Sequence, residues 1–200
     1  MSRNTSRRPS GSFKIAVVSA GQRNPSRTRT LALAIADAIG DRVKSETTVV
    51  DLSTLWKQIA VLASPSDADQ DVRAAFDAVE DADLLVTASP IFKASYTGAF
   101  KHFFDLFAPD ALVAKHVILA ATGGSERHSL ALEHNFRPLF SFFAAHTLPT
   151  TVYAVDSDIV DGAYIVESVA QRIAKVADEA ALILRQRDQY DLANVAAVAS

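Results

Sequence analysis

Cysteine is absent from all 200 residues. That excludes disulfides, thiolate metal sites and a cysteine nucleophile together, and it suits a reducing compartment. An excess of one charge is missing too. With 20 basic and 23 acidic residues the net charge is −3, which leaves no polybasic footprint and argues against nucleic acid as a partner. No apolar run approaches the length of a membrane span. None follows the basic, serine-rich MSRNTSRRPSGS either, so residues 1–12 read as a disordered leader and not as a signal peptide. The compartment expected from these absences is the cytoplasm. The common nucleotide signatures are also lacking. SAGQRNPSRTRTL, which follows the first apolar run, holds only Gly21; GxxxxGK[ST] needs a second glycine and a lysine, and GxGxxG needs three glycines.

What is present is an alternation of short apolar runs with stretches of helical periodicity. Strands are predicted at 13–19, 47–52, 83–88, 115–121 and 150–155. Helices are predicted at 28–39, 72–79, 97–107, 128–145 and 164–187, with a polar loop before the second and a tail over 188–200. The strands are mostly continuous apolar runs, as expected where helices cover both faces of a parallel sheet. The fold class is therefore α/β, a doubly wound sheet in the order 2-1-3-4-5, within one domain over 13–187. In such a sheet ligands bind beyond the carboxyl ends of the strands, where the winding reverses. Three loops of distinctive chemistry fall there.

The first loop leads to a helix start near Thr28, whose free N–H groups and positive dipole end suit a phosphate. Ser26 and Thr28 add hydroxyls and Arg23 adds a forked positive charge. One hydroxyl would be enough to cap the helix, so the surplus of donors favours a terminal phosphate; Arg27 and Arg29 read as solvated. The second loop, SPIFKASYTG, offers Pro90, Ile91 and Phe92 as a flat apolar wall, with Lys93 beside them. The third, TGGSERH, places Thr122, Gly123, Gly124 and Ser125 where backbone groups can approach a ligand edge. His128 there caps a helix, touches a ligand, or does neither.

Phe100, Phe103, Phe104 and Phe107 recur at helical spacing and read as core or subunit interface. Pro138 sits inside the next helical pattern and withholds an N–H from the carbonyl of His134, so a kink or π-bulge is expected there. The aromatic surface of these two helices exceeds what a chain of this size would readily hide, which predicts homo-oligomerisation. The histidines and carboxylates form no persuasive triad or metal cluster, so no catalytic acid, base or nucleophile and no metal site is expected.

PSRTRTL, SPIFKASYTGAFKHFFDL and ATGGSERHSLALEHNFRPLF together resemble the NAD(P)H-dependent FMN reductases of two-component monooxygenase systems. The likeness is greatest to those serving alkanesulfonate and methanesulfonate monooxygenases, and it runs from Phe13 to the fifth strand. The resemblance implies a flavodoxin-like fold, FMN and NAD(P)H as ligands, and hydride transfer from the nicotinamide to FMN. It also implies release of reduced FMN to a partner monooxygenase and assembly as a homodimer or homotetramer. By position it places Arg23, Ser26 and Thr28 at the FMN phosphate, and Pro90, Ile91, Phe92 and Lys93 beside the isoalloxazine. Thr122, Gly123, Gly124 and Ser125 fall at the flavin's polar edge. Gly21 stands where many members have serine, and Phe92 where tyrosine is more usual. His134 falls where the alkanesulfonate reductase carries a tyrosine in a π-helix at its tetramer interface, and histidine there looks more like the methanesulfonate type. Two competing readings are a quinone or azo reductase with tightly held FMN, and a flavodoxin-like electron carrier. Such carriers are usually strongly acidic, which a net charge of −3 is not.

Overall fold

Strand β1 (Phe13–Ser19) carries a run of β-branched and small apolar residues, all buried except Lys14. In the computed structural model, which describes residues 11–160 and 164–198, it lies inside the sheet, second from one edge. Residues 1–10 of the expected leader lie outside the described residues. β1 pairs in parallel with β2 (Ser45–Asp51) on one side and β3 (Leu84–Pro90) on the other. β4 (His116–Gly123) follows β3. Beyond β4 lie two short pieces, β5 (His146–Thr147) and β6 (Val152–Val155), both parallel to it. The order is that of the expected doubly wound sheet. The expected single fifth strand is thus split, with Pro149 between its parts. A small antiparallel pair, β7 (Ile159–Val160) and β8 (Tyr164–Ile165), stands apart from the sheet.

Helices cover both faces. α1 (Arg27–Gly40) and α6 (Glu167–Val198) pack on one, burying Leu31, Ile35, Ile39, Ile173, Val176 and Leu184 against the sheet. α6 starts later than its periodicity suggested and runs on through the stretch read as a tail. On the other face lie α2 (Leu52–Ile59), α3 (Gln70–Asp81), α4 (Gly98–Asp105) and α5 (Arg137–Phe142). α2 replaces part of the expected polar loop. Its signal is Leu52, Leu55, Trp56 and Ile59 at helical spacing, diluted by the four polar residues between them.

Phe100, Phe103, Phe104, Phe107, Phe136, Phe140 and Phe143 are all buried within the chain. They interlock mostly edge to face, as between Phe103 and Phe104 at 5.3 Å and 78°. The premise that this chain cannot hide its own aromatics is therefore wrong. The rings of α4 and α5 point into one layer between sheet and helices, and each buried ring contributes about 1.5–3 kcal/mol. Phe142 alone of α5's phenylalanines faces outward, 69% exposed.

The helix expected over 128–145 is broken into parts. A 3-10 turn, Glu126–His128, leads to a π-helix, Leu132–Phe136, and then α5. The Arg137 N–H donates to the Leu132 carbonyl, five residues back. The wider turn accommodates Pro138, which has no N–H to give.

Candidate functional site

Gly21 opens the loop between β1 and α1, and its backbone is buried. A Cβ there would collide with Ser26 Oγ and crowd Thr28, so the glycine lets the loop fold back onto the start of α1. The loop includes the cis Asn24–Pro25 peptide. Ser26 is the N-cap: its Oγ accepts from the Arg29 N–H at 3.1 Å and its carbonyl from the Thr30 N–H at 2.9 Å. The N–H groups of Arg27 and Thr28 have no acceptor among the described residues, and both residues line a cleft at this helix end. Thr28 is buried, and its hydroxyl meets that of Thr122 at 2.7 Å. One of the pair donates to the other, and the acceptor keeps its own proton for a third oxygen.

The three arginines differ. Arg27 pairs with Asp156 and Arg29 with Asp51, each at 3.4 Å, so neither is simply solvated. Arg23 lines the cleft with no ion-pair partner among the described residues.

The second wall comes from the loop between β3 and α4. Ser89 Oγ accepts from the Thr97 N–H at 3.0 Å, closing the base of the loop. Ile91 N–H donates to the Thr122 carbonyl at 2.7 Å, which ties the wall to the end of β4. Phe92 and Ser95 exchange both backbone hydrogen bonds around Lys93 and Ala94, whose φ angles are 52° and 69°. Two left-handed central residues make this a type I′ turn, usually built from Asn and Gly. Left-handed backbone costs a non-glycine residue roughly 1–2 kcal/mol. Asn135, on the π-helix, supports the turn by donating to the Ala94 carbonyl at 3.0 Å. The turn holds Phe92 48% exposed against the cleft, and Lys93 is not among the residues that line it.

The third wall is the end of β4. A Cβ on Gly123 would strike the hydroxyl of Tyr153, which donates to the Ser125 carbonyl at 2.7 Å. Burial first, and then the carboxylates of Asp156 and Asp158, push that phenol above its ordinary value of 10, so it stays a donor at any working pH. Open space surrounds Gly124. Ser125 caps the 3-10 turn by accepting from the Arg127 N–H.

These walls enclose a cleft of about 290 Å³, close to the lower end for small-molecule sites. Arg23, Ser26, Thr28, Pro90, Ile91, Phe92, Thr122, Gly123 and Gly124 all line it; Lys93, Ser125 and His128 do not. Sequence reasoning missed Gln22, Pro25, Arg27 and Asp156 as lining residues, and Tyr153 and Asn135 as supports. Asp156 and Tyr153 come from the far edge of the sheet, and no local pattern marks them. The donors suit one phosphate: a free guanidinium, two unpaired helix N–H groups and a cap hydroxyl. Beside them lie a flat apolar surface and a glycine rim, the combination a phosphate-bearing planar heterocycle such as FMN requires.

Residues 13–159 match the family described as NADPH-dependent FMN reductase. The chain is 40% identical over 177 residues to an FMN reductase (NADPH) of Pseudomonas aeruginosa, covering 88% of this chain and 95% of that one. It is also 40% identical over 169 residues to the NADH-dependent FMN reductase SfnF of Pseudomonas fluorescens, covering 84% and 90%. Among solved structures, an oxidoreductase from Corynebacterium diphtheriae superposes with a TM-score of 0.79 at 34% identity, over 88% of this chain and 99% of that one. The apo form of the NADH:FMN oxidoreductase EmoB superposes with a TM-score of 0.76 at 28% identity, over 86% and 89%. Relatives of equal identity are thus named for different nucleotide donors.

Proposed function

The chain belongs to the NADPH-dependent FMN reductase family, and from that premise we propose that it transfers hydride from NAD(P)H to FMN and supplies reduced FMN to a separate monooxygenase. FMN, when bound, supplies the ring that accepts the hydride, and the protein supplies binding and orientation. The observation that carries the reading is the meeting, in one cleft, of an anion cradle, an apolar wall and a glycine rim.

In this reading Arg23, the Ser26 hydroxyl and the N–H groups of Arg27 and Thr28 hold the phosphate. The Thr28–Thr122 hydroxyl pair fixes the distance between cradle and rim. Pro90, Ile91 and Phe92 support the flat face of the ring. The backbone of Gly123 and Gly124 meets its polar edge, which Tyr153 holds in place through Ser125. Lys93 and His128 add to the margin and not to the grip. Exposure of both Arg23 and Phe92 favours a flavin that exchanges with solvent over one held permanently.

Assembly as a homodimer or homotetramer is part of the same proposal; Phe142 and Leu130, 69% and 61% exposed, support it. A cytoplasmic setting is supported by the cysteine-free composition.

The test is oxidation of NADPH and of NADH by the purified protein, each with and without added FMN. Turnover that depends on added FMN is expected. No turnover with either donor overturns the reductase reading, and turnover without added FMN favours a tightly held cofactor acting on another acceptor.

A further inference from the structure

Trp56, the single tryptophan of the chain, is not used by the cleft described above. It lies on α2, 39% exposed, where burial would be expected for the largest apolar side chain of an amphipathic helix. It walls a second cleft of about 290 Å³ together with Ala20, Gln22, Leu52, Ser53 and Ala99. This cleft sits beyond the carboxyl ends of β1 and β2, against the start of α4. Its indole is held from behind. The His102 ring packs edge to face on it at 6.2 Å and 83°, and His102 Nε2 is fixed in turn by the Ile59 carbonyl at 3.0 Å. An aromatic ring that is braced on one side and open on the other offers a stacking surface.

Gln22 lines both clefts. A ligand leaving the first therefore reaches the second across one residue. Resting on the reductase reading, we propose that the Trp56 cleft is the subsite for the adenine of the pyridine-nucleotide donor. Hydride transfer demands contact distance between the reacting rings, so the nicotinamide belongs at the first cleft, on the face of the flavin ring that the Phe92 wall leaves open. The donor's remaining aromatic group lies away from the reacting rings, and the second cleft provides the chemistry that group needs. Trp56 presents a face for stacking. The exposed Gln22 amide has the donor and acceptor spacing that pairs with the N6 and N7 edge of adenine. The apolar lining of Ala20, Leu52 and Ala99 suits a flat base better than a ribose or phosphate.

The lone tryptophan makes the test direct. AMP titrated into the FMN-free protein is expected to quench Trp56 emission, while ribose 5-phosphate at the same concentrations leaves it unchanged. Base–aromatic stacking measured by alanine substitution is worth about 1–3 kcal/mol, so Trp56→Ala is expected to raise KM for NAD(P)H at least about fivefold. Trp56→Phe is expected to restore most of that loss, with FMN affinity unchanged in both variants. Absence of AMP quenching, or an unchanged KM in Trp56→Ala, overturns the subsite. Equal weakening of FMN and NAD(P)H also overturns it, because the cleft would then belong to the flavin. A wild-type protein that oxidises neither nucleotide sinks the reductase reading, whereas quenching by AMP is read independently of turnover.

Discussion

Three arginines crowd the first loop, and neighbouring carboxylates separate their roles. Arg27 and Arg29 each have a carboxylate at 3.4 Å, and Arg23 has none among the described residues. A charge-assisted hydrogen bond is worth about 1.5–3 kcal/mol. Arg23→Ala should therefore weaken FMN binding roughly tenfold without lowering thermal stability, because the side chain is exposed. Asp156→Asn should act in the opposite sense and tighten binding a few-fold, by removing a negative charge from the cleft and releasing Arg27. Flavin titration checks both, and unchanged affinity in Arg23→Ala would put the phosphate elsewhere. Sequence made Arg23 legible as a residue of this loop, but not the pairing of Arg27. That pairing needs Asp156, which stands 129 positions from Arg27 in the chain and meets it only through the order of the sheet.

At the scale of elements, the boundary of β4 and β5 shows how packing sets chemistry. His116 and His146 are register partners at the start of both strands, with ring centroids 5.5 Å apart. His116 Nδ1 is buried with no hydrogen-bond partner among the described residues. Burial first, then His146 and Arg187, hold its imidazole below the ordinary value of 6.5. The unfolded chain therefore takes up this proton near pH 6.5 and the folded chain only at lower pH, so stability is lost as pH falls through that interval. Thermal melts from pH 7.5 to 5.5 should show a decline that is shallower in His116→Leu, and parallel slopes would refute the assignment. Other element features were partly legible. Pro138 announced the irregular turn, but Asn135's contact with Ala94 depends on how the π-helix rotates that side chain. The Lys93–Ala94 turn was not legible, because neither residue type advertises a left-handed backbone.

For the whole molecule, the outward face of the broken helix bears on assembly. Phe142 is exposed although its neighbours Phe140 and Phe143 are buried. If that face joins copies of the chain, Phe142→Ser should shift the mass measured by light scattering towards a single protomer while the melting temperature of the separated chains stays high. A wild-type protein already monomeric at working concentration would dispose of the assembly proposal.

The sequence by itself determined the layers and their order. Apolar runs of strand length alternating with helical periods leave few parallel arrangements, and short connections with right-handed crossovers narrow these further. It also determined which loops share the carboxyl edge, since strand direction dictates that. Tertiary structure alone decided which side chains are spent. The three walls come from distant parts of the chain, and Thr28 is taken by Thr122, Arg27 by Asp156 and the Ser125 carbonyl by Tyr153. A hydroxyl or guanidinium is available to a ligand only if no neighbour has claimed it, and neighbours across a sheet are not written in any local stretch of sequence.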